Sequence, residues 1–158
     1  MKIIYPLISL GILFLFHAGS AHGNFGAKEN KETVAKAFEQ WQQGKGSFFD
    51  LLHENVEWRV SGNGIFSGTY NGKQEFLDKA VTPINDQLAT AIKPGLIDII
   101  ADGNTVWLHW EGTSTTKSGE IYHNEYAWKL EFNNGKIVKA VAFLDNHALD
   151  HLFKNTSN

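Results

Sequence analysis

The stretch from Tyr122 to His147 constrains this chain most. Tyr122, Asn124, Tyr126, Trp128, Leu130 and Phe132 fall on one face of an alternating run, and His123, Glu125, Lys129 and Glu131 fall on the other. Strict period-two alternation marks an antiparallel strand with one buried face. Asn133-Asn134-Gly135-Lys136 follows, and Asn-Gly between two apolar runs is the strongest short-range hairpin signal. The return run, Ile137 to Leu144, completes the hairpin. A turn centred on Asn134-Gly135 sets Asn124 opposite Asp145 and turns Phe143 and Asp145 toward the aromatic face. A carboxamide and a carboxylate then stand in a wall of rings.

The amino terminus reads as a leader. Lys2 precedes a largely apolar run, Ile3 to Phe16, and small residues from Ala18 to Ala21 offer a cleavage site. The run is shorter than the roughly 20 apolar residues a spanning helix needs. Residues 1–21 are therefore expected to be a signal peptide, which implies a secreted or periplasmic protein with no membrane attachment after its removal. The chain has no cysteine, so disulfides are excluded and the core alone must hold the fold. The remainder has the length of one domain. A net charge of −3 without a basic stripe argues against nucleic acid as a partner.

Residues 22–29, rich in glycine and polar side chains, read as a flexible lead-in, with Asn30 as the cap of a helix. Val34, Ala37, Phe38 and Trp41 then recur at the spacing of one buried helix face, ended by Gly44 and Gly46. Ser47 caps a short apolar turn through Leu52, and Val56, Trp58 and Val60 alternate as a strand. Residues 61–68 form a glycine-punctuated loop without the Lys-Ser/Thr of a phosphate-binding loop. Phe76, Leu77, Ala80 and Val81 give an apolar helix face over residues 73–81, stopped by Pro83. Strands at 97–101 and 105–111, joined by Asp102-Gly103-Asn104, and a long polar turn over 112–119 lead into the hairpin. Helices followed by consecutive strands indicate an α+β fold.

Several spaced motifs together resemble the SnoaL-like group of the nuclear-transport-factor-2-like superfamily. They are Phe38-x-x-Trp41, Phe49-x-x-Leu52, Asn55-Val56-x-Trp58, Gly68-x-Tyr70-x-Gly72, Tyr122-x-Asn124-x-Tyr126, Gly135-Lys136-Ile137 and Phe143-x-Asp145. The resemblance implies one domain over residues 30–153, a tail at 154–158, and a cone-shaped, mostly antiparallel sheet wrapped around N-terminal helices. It also implies an apolar pocket, frequent homodimers, and activities that include polyketide cyclisation, ketosteroid isomerisation and epoxide hydrolysis. In the cyclases an acid/base Asp lies near the end of the last strand, and Asp145 matches that place. Glu57 and Arg59 point away from the Val56–Trp58–Val60 face, which does not suit isomerase chemistry. Arg59 is the only arginine and lies off the inner strands, which does not suit the epoxide hydrolases.

A turn over 112–119 sets Trp110 opposite Tyr122 and Leu108 opposite Asn124. The expected ligand wall is therefore Trp58, Phe66, Leu108, Trp110, Tyr126, Phe143 and His147, with Ile65 and Phe76 closing it. Asp145 is the expected acid/base, because a desolvated carboxylate is a stronger base, with Asn124 and Tyr122 donating to a developing oxyanion. The alternative role of Asp145 is the cap of a terminal helix. The same register pairs His109 with His123 near Glu111 and Glu125, a weak zinc pattern, so neither a metal nor another cofactor is expected. The outer face around Trp107, His109, His123 and Leu144 suits a homodimer interface. The sequence thus points to an exported protein that holds a small apolar organic molecule. It is read either as an isomerase-, cyclase- or hydrolase-like enzyme or as a non-catalytic binding or interaction module.

Overall fold

The structure is a computed structural model and describes residues 22–154. The expected leader at 1–21 and all but the first residue of the expected tail lie outside the described residues. The helices are α1 (His22–Gln42), a 3-10 turn (Phe48–Leu51), α2 (Lys73–Phe76), a π turn (Leu77–Val81), α3 (Thr82–Asn85) and α4 (Asn146–Lys154). The strands are β1 (Leu52–Val60), β2 (Gly68–Asn71), β3 (Lys93–Asp102), β4 (Thr105–Thr115), β5 (Ile121–Asn133) and β6 (Lys136–Leu144). The architecture is α+β, with the buried face of one sheet turned toward the helices.

The sheet corrects the cone-shaped, wrapped form expected from the sequence. Its six strands run β2-β1-β6-β5-β4-β3, and the two edges, β2 and β3, do not pair with each other. The sheet is open rather than closed or strongly curled. Closure requires the edge strands to meet with a consistent stagger. Here β2 is only four residues long and the chain between β2 and β3 opens as the helical run α2–π–α3. All strand pairs are antiparallel except β1 with β6, which brings the strand after the first helices back against the last one.

The elements form where the residues predict them, with informative shifts. α1 starts at His22 instead of Asn30, because buried Ala27 and Asn30 extend the Val34–Ala37–Phe38 face toward the amino terminus. Asn30 is thus a buried mid-helix residue and not a cap. Ser47 does cap its turn, its hydroxyl accepting from the Phe49 N–H at 3.2 Å. Pro83 does not stop the helix after residue 81. It sits at the start of α3, directly after the π turn, whose wider winding relieves the clash of a proline ring with the preceding turn. The hairpin turn has Asn134 at φ 49° and Gly135 at φ 74°, the two left-handed positions an Asn-Gly loop supplies.

Two registers differ from those expected. β4 runs on to Thr115, so the β4–β5 turn is short, and Trp110 pairs with Tyr126, Leu108 with Trp128, Gly112 with Asn124 and Ser114 with Tyr122. The shift is an even number of residues, so every side chain keeps its face. On β6 the change is of the other kind. Ile137 pairs with Phe132, but Lys139 pairs with Glu131, which leaves Val138 as a bulge. The phase flips there. Ala140, Ala142 and Leu144 face inward, and Phe143, expected inside, is 42 % exposed on the outer face, where its ring stacks at 6.2 Å on Trp107. Leu144, expected on the outer face, lies inside.

Candidate functional site

The inward residues of β1, β4, β5 and β6 and the helices opposite enclose a cavity of about 540 Å³. Its sheet wall is Trp58, Trp110, Tyr126, Trp128, Ala142 and Leu144, and its helical wall includes Trp41, Phe49, Phe76, Leu77, Ala80 and Ile84. The rings brace one another. Trp110 and Tyr126, opposite each other on β4 and β5, stack at 3.9 Å with an 8° tilt, and Trp58 stacks on Phe76 at 4.3 Å. Trp128 stands edge-on to Trp58 at 5.1 Å and to Trp110 at 4.8 Å. Such pairs contribute about 0.5–1.5 kcal/mol each beyond the area they bury, so this wall is rigid without being filled.

The lining carries no carboxylate, histidine, lysine or arginine among the described residues. Tyr126 is its one titratable side chain, and burial pushes that hydroxyl's pKa well up, so it stays protonated. The indole Nε1 groups of Trp58, Trp110 and Trp128 are buried without a hydrogen-bond partner.

The polar residues singled out from the sequence gather at the far end of β5. Asn124, 2 % exposed, donates from Nδ2 to the Asp145 carbonyl at 2.9 Å and to the Tyr122 hydroxyl at 3.1 Å, and its Oδ1 accepts from the Asp145 N–H at 3.0 Å. Asn124 and Asp145 therefore meet, but through the backbone of Asp145. The Asp145 carboxylate is exposed and accepts from the His147 and Ala148 N–H groups at 2.8 and 3.2 Å, as the cap of α4. Tyr122 and Tyr126 share a hydroxyl–hydroxyl hydrogen bond of 2.8 Å, and burial raises the pKa of Tyr122 as well.

Of the expected ligand residues, Trp58, Phe66, Trp110 and Tyr126 line the cavity. Leu108 is buried in the core beneath it, and Phe143 lies outside. His147 and Tyr122 border a separate polar cleft of about 230 Å³ beside α4, together with Lys117, His123 and His151. Ile65, expected to close the site, is 58 % exposed. His109 pairs with Ala127 and His123 with Thr113, so the two histidines are not opposite each other, and no group of three His, Asp or Glu among the described residues converges on one point. The glycine loop has a packing reason: the Asn146 side chain lies over Gly62 and Gly64, where any Cβ would collide with it. The sequence reading named Phe76, Leu77, Ala80 and Val81 as an apolar face but missed the wall contributed by Trp41, Leu88 and Ile92. Trp41 carried the helical spacing of α1, whereas Leu88 and Ile92 stand in a polar passage between Asn85 and Lys93 that has no periodic signal.

The SnoaL-like domain family model matches residues 25–140. Among solved structures, Bal32a from a soil-derived mobile gene cassette superposes with a TM-score of 0.68 at 19 % identity, covering 82 % of this chain and 99 % of its own. An NTF2-like protein from Anabaena variabilis gives 0.60 at 23 % identity over 73 % of this chain and 90 % of its own. TerC, co-crystallised with polyporic acid, gives 0.63 at 16 % identity over 79 % and 98 %. No curated protein sequence matches the chain. With the family model covering most of its length, the chain belongs to the SnoaL-like domain family.

Proposed function

We propose that this protein binds a small, uncharged, largely aromatic organic molecule in the cavity between sheet and helices, and that it does so without acid/base catalysis by Asp145. The observation that carries the reading is the lining itself: about 540 Å³ of ring-walled space with no carboxylate, histidine or cationic side chain among the described residues. That volume lies within the range of small-molecule pockets, which are mostly apolar with few polar groups. A carboxylate that accepts two backbone N–H groups at a helix start has a structural role. TerC, which shares the fold, was co-crystallised with polyporic acid, which supports ligand binding as a use of this fold. As part of the same proposal, residues 1–21 direct export, and copies associate through the outer face around Trp107 and Phe143. N-terminal sequencing of the secreted protein and sedimentation of the purified one test these two points.

The direct test is titration with naphthalene, followed by quenching of the cavity tryptophans. Saturable binding is expected in the wild type. Ala80→Phe, which places a ring in the cavity from the helical wall, is expected to weaken binding by more than about tenfold, since overfilled space excludes the ligand. Unchanged binding in a folded Ala80→Phe variant would remove the cavity as the site.

A further inference from the structure

The backbone of Asp145 sets the hydrogen-bond roles along β5 as far as the tyrosine pair. The Asp145 N–H can only donate and its carbonyl can only accept, so the Asn124 amide is held in one orientation, Oδ1 to the N–H and Nδ2 to the carbonyl. The second Nδ2 proton then goes to the Tyr122 oxygen at 3.1 Å. Tyr122 and Tyr126 own two hydroxyl protons but share one hydrogen bond, at 2.8 Å. One proton of the pair is left without a protein acceptor. A hydroxyl that accepts from an amide becomes the better donor in a chain of hydrogen bonds. That order favours Tyr122 as donor to the Tyr126 oxygen, and the Tyr126 proton is then the one left over. Tyr126 is 8 % exposed and lines the large cavity.

Asn85 and the indole N–H groups of Trp58, Trp110 and Trp128 also border that cavity, while its two other hydroxyls are engaged. The Thr90 hydroxyl lies 3.1 Å from that of Ser114 and accepts from the Thr115 N–H, and the Ser47 hydroxyl caps the 3-10 turn. Tyr126 also keeps its proton at any ordinary pH, because burial raises its pKa. We infer that the Tyr126 hydroxyl is a polar anchor of the cavity, positioned by Tyr122 and Asn124, and that the site selects flat aromatic molecules bearing one uncharged hydrogen-bond acceptor on the ring edge over the matching hydrocarbon. This rests on the cavity being a binding site. Tyr126 touches the ligand, while Tyr122 and Asn124 are positioning residues.

Quinoline and naphthalene test it, since they differ only in one ring nitrogen and both are neutral above mildly acidic pH. The wild-type protein is expected to prefer quinoline by about five- to tenfold, the worth of one buried neutral hydrogen bond. Tyr126→Phe is expected to abolish that preference, read as the ratio of the two affinities within the same variant, and Tyr122→Phe to reduce it without abolishing it. The ring-nitrogen NMR resonance of quinoline bound to the wild-type protein gives a measure that needs no variant. It is expected to move in the direction of hydrogen bonding relative to quinoline in hydrocarbon solvent. Equal affinities in the wild type, an unshifted nitrogen, or a preference that survives Tyr126→Phe would each overturn the anchor while leaving the cavity as a binding site. Binding of neither probe would overturn the cavity reading and the anchor with it.

Discussion

Two regions of the inner sheet face contrast in how they treat polarity. Around Trp58, Trp110 and Trp128 the wall is aromatic, unfilled and without charge, and three indole N–H groups go without a hydrogen-bond partner. Around Asn124 the face is polar, filled and bonded: each amide atom has a partner, and the neighbouring carboxylate is committed to a helix start. Trp128 and Asn124 both lie on β5, and the two regions are joined by the Tyr122–Tyr126 hydrogen bond. The contrast teaches that a polar residue in an apolar strand pattern marks a place where chain segments must be tied together as readily as it marks chemistry. Here the polarity ties β5 to the end of β6 and the start of α4, and the open space is elsewhere.

The largest effect should come from the aromatic region. Trp58→Ala removes a fully buried ring stacked on Phe76 and edge-on to Trp128, and should cost about 3–5 kcal/mol in urea unfolding. Trp58→Phe should cost clearly less, since it keeps a ring and discards an unpartnered N–H. If the two variants lose equally, the indole N–H has an acceptor that the ring packing hides. Next comes the polar region. Asn124→Ala leaves the Asp145 backbone groups and the Tyr122 hydroxyl short of partners and should cost about 2–3 kcal/mol. A loss under about 0.5 kcal/mol, the scale of ordinary surface changes, would erase the distinction drawn here.

The faces of β4 and β5 were legible because period-two alternation survives any even slip: the β4–β5 pairing is displaced from expectation, yet the same residues are buried. β6 was not, because a single bulge at Val138 exchanges Phe143 for Leu144, and a β-branched residue between Ile137 and Lys139 gives no warning of it. Asn124 and Asp145 do meet, although the register that set them opposite each other fails past the bulge, where Tyr126 pairs with Leu144. The pattern was also silent on whether the carboxylate or the backbone makes the contact, since alternation speaks of faces and not of atoms. The open sheet was illegible for a related reason. Closure depends on whether β2 and β3 reach each other, and neither strand's own pattern contains the answer.

The tyrosine pair joins the two regions and should be visible in alkaline unfolding. Burial is the main cause that raises the pKa of both Tyr122 and Tyr126. A group with a raised folded-state pKa contributes its full stability below its unfolded pKa and loses it as pH rises toward the folded value. Stability should therefore be flat through neutral pH and fall once the pH passes the ordinary tyrosine range. Tyr126→Phe should make that fall shallower. Equal slopes for wild type and variant above that range would mean that Tyr126 ionises as freely folded as unfolded, and that its region is wetter than the packing implies.

The smallest effects belong to Asp145, and they separate the two regions most cleanly. As a cap for α4 it accepts from the His147 and Ala148 N–H groups through one oxygen, and an asparagine side chain supplies the same acceptor. Asp145→Ala should cost about 1 kcal/mol, and Asp145→Asn should stay within a few tenths, roughly the spread among good capping residues. Neither should alter naphthalene affinity by more than about twofold, because Asp145 does not line the cavity and cap losses stay local. An Asp145→Asn variant that folds as well as the wild type but loses ligand would tie the carboxylate to the cavity through a contact absent from this arrangement. It would return Asp145 to the role its place at the end of the last strand first suggested.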